Sequence, residues 1–255
     1  MRLHVEKAKD IGSVGVQLGL GDMTEAKTDA FIVPQFQRGP SEGGVGGAIC
    51  RAGGQLGVID EYEGIVRKAG GTVEFGKAFV TPSHGGNSEK LIHVVSVGSG
   101  VEREYTVVNQ AIYNALTAAK EANIKSIVAP VLGTGIIGAL TDEQSAKAMF
   151  SAVRKFDRDN PGSGIQTTFV AYGNPNNTNH PTFQTLRKVL AEEAFVGATP
   201  VVGQREFNPE RFVNELNRDL DMGTAPRGGT PEPRQRKADR PQITIIRVPG
   251  RRDPP

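Results

Sequence analysis

Apolar positions along the chain fall into short continuous blocks separated by stretches with a three-to-four-residue repeat. Continuous blocks, of the kind a sheet covered on both faces requires, stand at residues 30–33 (AFIV), 91–97 (LIHVVSV) and 126–132 (SIVAPVL). Residues 14–20 (VGVQLGL), 77–81 (KAFVT) and 167–172 (TTFVAY) read as further strands. Pro34 is expected to stop the 30–33 block. Between the strands lie helical patterns. Ile49, Leu56, Ile59, Ile65 and Val66 mark a helix over 48–69. Gly53, Gly54 and Gly57 weaken it, since each costs about 1 kcal/mol in a helix interior. Val108, Ile112, Ala115, Leu116 and Ala119 mark another over 104–123. Thr141 and Gln144 form a capping box for a helix reaching about residue 157. Phe183, Leu186, Val189 and Leu190 mark the last clear helix, over 181–194.

Strands alternating with helices predict a three-layer α/β/α sandwich around a mixed, mostly parallel sheet, in one domain spanning residues 1–197. Beyond it the pattern weakens. Residues 198–222 are expected to hold one helical extension, with Pro209 at its first position and Phe212, Leu216 and Leu220 as its stripe. The 33 residues from Gly223 to the end contain seven Pro and read as a disordered or extended tail. One apolar run, 243–248 (ITIIRV), interrupts it. It reads equally as a strand that adds to a sheet edge and as a hydrophobic fragment within a tail.

Composition narrows the class. The chain has 255 residues, 32 Gly and no Trp, which suits an α/β fold with many functional loops. Its single Cys, Cys50, excludes a disulfide framework and fits a reducing cytoplasm. The N-terminus lacks the apolar stretch of a secretory signal. No window approaches 18 apolar residues, so no membrane partner is expected. The net charge of +2 divides unevenly: the tail from Gly223 holds eight Lys and Arg against three Asp and Glu, leaving 22 against 25 before it. The main domain therefore demands no strongly charged partner. The tail supports only non-specific, salt-sensitive contact with nucleic acid or protein.

The candidate chemistry lies in two Gly-rich loops, 38–47 (RGPSEGGVGG) and 133–140 (GTGIIGAL). Each follows a buried strand and leads into a helix, which suits phosphate. Gly lets the backbone approach an oxyanion closely, and a helix N-terminus offers unpaired N–H groups with a positive dipole end. The plain alternative for each loop is a tight turn with no ligand. The second loop matches the dinucleotide spacing G-x-G-x-x-G from Gly133 to Gly138. It follows a late strand, however, and the next strand ends at Tyr172 rather than at an acid. A dinucleotide oxidoreductase is therefore the weaker reading.

An ordered series of motifs is similar to the macro domain family. It comprises Gly21-Asp22-Met23-Thr24, the run from Asp29 to Val33, Gly43-Gly-Val-Gly-Gly-Ala-Ile49, Leu91 to Val95, Asn114-Ala-Leu116 and Ala129 to Gly138. It covers roughly residues 10–195. The resemblance implies binding of ADP-ribose, free or attached to a macromolecule, with no further cofactor. Asp22 would accept a hydrogen bond from the adenine amino group, and Met23 would offer its N–H to the ring. Gly43, Gly44, Val45 and Gly46 would hold the distal phosphate and ribose. Gly133, Thr134, Gly135 and Gly138 would donate to the diphosphate, covered by Ile136 and Ile137. Tyr172 would stack on adenine, and Asn174 would reach the proximal ribose. On the residues alone, Asp22 is equally a turn cap and Tyr172 equally a core residue with its hydroxyl at the rim.

The resemblance fails at one place. Where catalytically competent relatives carry Asn-Ala-Ala-Asn, this chain has Pro34-Gln35-Phe36-Gln37. Gln37 keeps the last amide but displaces it by about one methylene, a change that can cost about 10²-fold in rate. Binding is therefore preferred over the alternative, an ADP-ribosyl hydrolase acting on protein or nucleic acid. If there is catalysis, Glu42 and Gln37 are the candidates, Glu42 as a general base. Lys77 and Glu42 read more simply as surface charges, and His93 as a satisfied core histidine. No Cys/His cluster has metal-ligand spacing. Cys50, inside a helix, is a poor nucleophile.

Overall fold

A computed structural model describes residues 3–100, 103–135 and 138–196. The expected helix within 198–222, the tail from 223 and the run 243–248 lie outside the described residues, as do Ile136 and Ile137. The described chain forms seven strands: β1 (His4–Lys7), β2 (Gly15–Leu20), β3 (Thr28–Gln35), β4 (Ala78–Pro82), β5 (Ser88–Val95), β6 (Ser126–Pro130) and β7 (Gln166–Ala171). They make one sheet in the order β1-β2-β7-β6-β3-β5-β4. The five inner strands are parallel, and β1 and β4 close the edges antiparallel. The sandwich and the mixed, mostly parallel sheet expected from the sequence are both present.

The helices are α1 (Gly44–Gly53), α2 (Gln55–Lys68), α3 (Glu104–Glu121), α4 (Asp142–Asp159) and α5 (Pro181–Val196). On one face, α3, α4 and α5 pack against alternate residues of the inner strands, among them Leu18, Ile32, Val94, Ala129 and Phe169. On the other, Ile49, Cys50 and Val58 of α1 and α2 meet Phe31, Val33, Leu91 and Val128. Burial on both faces is why the inner strands read as continuous apolar blocks.

Three local details differ from the sequence reading. The 48–69 pattern is two helices, broken at Gly54, whose φ of +84° ends α1 in the left-handed region. β1 was not foreseen, because four residues with alternating half-buried and exposed positions carry little signal. Pro34 does not stop β3, which continues to Gln35. Gln35 presents its carbonyl to Ser96 and Val97 beyond β5, so the next residue back, Pro34, faces the β6 side. Pairing with β6 is confined to Ala30 and Phe31. The missing Pro N–H therefore costs no ladder bond.

Candidate functional site

The carboxyl ends of all five parallel strands open into one region, where open α/β sheets bind ligands. Two lobes lie there. The larger, about 570 Å³, has walls from Gly21, Asp22, Met23, Arg51, Thr134 and Tyr172, among others. The smaller, about 380 Å³, is walled by Phe36, Ser41, Ser96, Glu104, Leu132 and Gly138, among others. Gly44, Val45, Pro130, Val131 and Gly135 belong to both. These shared residues form a waist between the start of α1 on one side and the 133–138 loop on the other.

The waist is built from backbone. The N-cap of α1 is Gly43, which has no capping side chain. Gly47 N–H closes the first helical bond onto the Gly43 carbonyl at 3.0 Å. The earlier N–H groups of the first turn thus have no acceptor within the helix. Across the waist, Gly133 takes a φ of +79°. The loop closes on itself through Gly138 N–H to Gly135 O at 2.8 Å and Leu140 N–H to Gly133 O at 3.0 Å. A Cβ on Gly46 would stand 2.1 Å from Ser41 O, and one on Gly138 2.2 Å from Gly133 O. Both positions are closed to any side chain by backbone.

The start of the first loop is held from beneath. Gln35 Oε1 accepts the Ser41 N–H at 2.6 Å. Its Nε2 must then donate to His93 Nδ1, 2.8 Å away. His93 Nε2–H is left to donate to Thr81 Oγ1 at 2.9 Å, and that hydroxyl donates to Pro82 O at 3.2 Å. His93 is fully buried and stacks on Tyr62 with ring centres 5.3 Å apart. Burial lowers its pKa to about 4. It is the satisfied core histidine expected. Tyr62 in turn donates to Phe36 O at 2.6 Å, fixing the end of β3 over the smaller lobe.

The structure brings Asp22, Met23, Gly43, Gly44, Val45, Gly46, Gly133, Thr134, Gly135, Gly138 and Tyr172 to the cleft walls. Asp22 is also the cap of a 3-10 turn at Met23–Glu25, its Oδ1 accepting from Thr24 N and Thr24 Oγ1. Among the described residues no donor meets its Oδ2. Tyr172 is a rim residue and not a core one, 73% exposed.

Three predicted residues are not brought there. Gln37 is clamped to Val73, donating to its carbonyl at 3.2 Å while Val73 N–H returns to Gln37 O at 2.9 Å. Asn174 is exposed, and its side chain accepts Asn176 N–H in a local turn at 3.0 Å. Glu42 is exposed and absent from both walls. Lys77 pairs with Glu74 at the surface, 3.7 Å away. Cys50 is buried, which raises its pKa. Among the described residues no His/Cys/Asp/Glu group has metal-holding geometry, and no helix is long and apolar enough to cross a membrane.

Of the charged wall residues, Arg51, Asp142 and Glu104 had escaped sequence reading. Arg51 is the single cation in the described walls, at the large-lobe end. Glu104, the first residue of α3, is only 2% exposed yet lines the smaller lobe. Its Oε2 accepts the Ala139 N–H at 2.9 Å, and burial raises its pKa.

The macro domain family model matches residues 37–149. A Pyrobaculum aerophilum protein of uncharacterised role is 37% identical over 145 residues, 57% of this chain and 78% of that one. The chain belongs to the macro domain family. The O-acetyl-ADP-ribose deacetylase of Salmonella typhimurium is 30% identical over 125 residues, 48% of this macro domain chain and 69% of that enzyme. The Oceanobacillus iheyensis macrodomain with ADP shares the fold at a TM-score of 0.64 and 20% identity, covering 76% of this chain and 100% of that one.

Proposed function

We propose that this macro domain binds ADP-ribose, free or attached to a macromolecule, with the diphosphate at the waist. The observation that carries the reading is the waist itself. Unpaired N–H groups and the positive end of α1 point there from one side, the 133–138 loop faces them, and no Lys stands in the described walls. A backbone cradle suits a diphosphate flanked by bulkier groups, which the two lobes accommodate. The large lobe takes adenosine: the free oxygen of Asp22 accepts the adenine amino group, and Tyr172 stacks on the ring. Such stacking contributes about 1–3 kcal/mol. The smaller lobe takes the terminal ribose. The ADP of the Oceanobacillus neighbour and the ADP-ribose ester in the Salmonella relative's name support this ligand class.

The deacetylase relative also favours a second reading, hydrolysis of an ADP-ribosyl ester or related bond. Against it, Gln37 is engaged with Val73 and Glu42 lies outside the walls. Release of ADP-ribose from a modified protein, or of acetate from the O-acetyl ester, separates the two readings. Phosphorus NMR tests the binding mode: both diphosphate resonances of ADP-ribose should broaden and shift on adding protein, and stay unperturbed with Gly46→Ala. Equal perturbation by that variant would remove the waist from the site.

A further inference from the structure

Resting on the ADP-ribose reading, the smaller lobe raises the question of what distinguishes ADP-ribose from ADP. Its walls are mainly apolar or glycine: Pro34, Phe36, Val97, Pro130 and Leu132 stand beside the two loops. Gln37, at the position of the last family amide, donates to Val73 O and lines neither lobe. The only ionisable side chain in those walls among the described residues is Glu104. A buried carboxylate needs hydrogen-bond donors for its lone pairs. Ala139 N–H supplies one, to Oε2, and among the described residues no donor meets Oε1, which leaves it for a ligand.

We infer that Glu104 is a specificity-determining residue that accepts hydrogen bonds from the terminal-ribose hydroxyls of ADP-ribose. The chemistry is complementary. Vicinal hydroxyls present donors, and a desolvated carboxylate is the strongest acceptor a protein offers them, charge-assisted bonds being about twice as strong as neutral ones. The same carboxylate fixes the end of the second loop through Ala139, so the terminal ribose and the diphosphate are read by coupled elements. ADP, which has no second ribose, forms only the waist and large-lobe contacts.

The experiment is a titration of the full chain and of Glu104→Gln with ADP-ribose and ADP, alongside thermal melts. The Gln carbonyl can still accept from Ala139, so the loop is retained and only the charge-assisted bond to ribose is weakened. The expected result is about a tenfold loss of ADP-ribose affinity with ADP affinity unchanged. An equal fall for both ligands would overturn the inference and make Glu104 a loop support only. No change for either would overturn it as well. Absence of binding by the wild-type chain to both ligands would instead bring down the ADP-ribose reading, and this inference with it.

Discussion

Every hydrogen-bond position around the His93 ring is already assigned, which is why the ring is neutral in the fold. Ser41 N–H occupies Gln35 Oε1, so the Gln35 amide hydrogens face Nδ1. A proton on Nδ1 would put donor against donor in a fully buried site. The folded pKa of about 4 lies below the ordinary 6.5, so the unfolded chain binds the proton first as pH falls. His93 stabilises the fold fully above pH 6.5, and that contribution, about 3 kcal/mol, is lost between 6.5 and 4. Denaturant unfolding at pH 7 and pH 5 should show His93→Gln losing about 2 kcal/mol less than wild type over that interval. Identical losses would show that His93 does not carry the acid sensitivity. At this scale the sequence was partly legible. Asp22 and Tyr172 lie in short local motifs, and their places in the cleft follow from the strand ends that carry them. Glu104 was not legible, because its partner Ala139 is 35 residues away and nothing local distinguishes it from any acidic helix start. Gln37 was misplaced for the same reason: its Val73 clamp is a long-range contact.

The elements follow the periodicity except where backbone geometry intervenes. Buried parallel strands declare themselves as apolar blocks, and α4 declares its start through a capping box that the structure completes, with Gln144 N–H to Thr141 Oγ1 at 3.2 Å and Thr141 N–H to Gln144 Oε1 at 2.9 Å. Gly54 splits what periodicity joins, and Pro34 fits a strand because its neighbour on that side has diverged. Neither is visible without the sheet. In the second loop-to-helix element, helix capping and phosphate binding are separable roles, which paired substitutions expose. Thr141→Ala removes the cap and should cost about 1 kcal/mol of stability without abolishing nucleotide binding. Gly138→Ala should abolish nucleotide binding, because its Cβ would collide with Gly133 O and force the waist open. Melting curves and ligand titrations of both variants check this. Wild-type affinity in Gly138→Ala would contradict the phosphate role given to the second loop.

The molecule as a whole gathers five strand ends, two glycine loops and several helix starts around one cleft, and the proposed mode puts one end of ADP-ribose in each lobe. That convergence is a property of the parallel sheet order, and the alternating pattern of strands and helices foretold it. Every described wall residue of the cleft comes from residues 21–182, so a chain ending at residue 222 is expected to bind nucleotide as the full chain does. The most direct test of the central claim is calorimetric titration of the full chain with ADP-ribose, using ADP, AMP and NAD as references. The account predicts micromolar or tighter binding, about −8 kcal/mol or better, with ADP-ribose preferred over all three. Undetectable ADP-ribose binding, or NAD bound equally well, would contradict it.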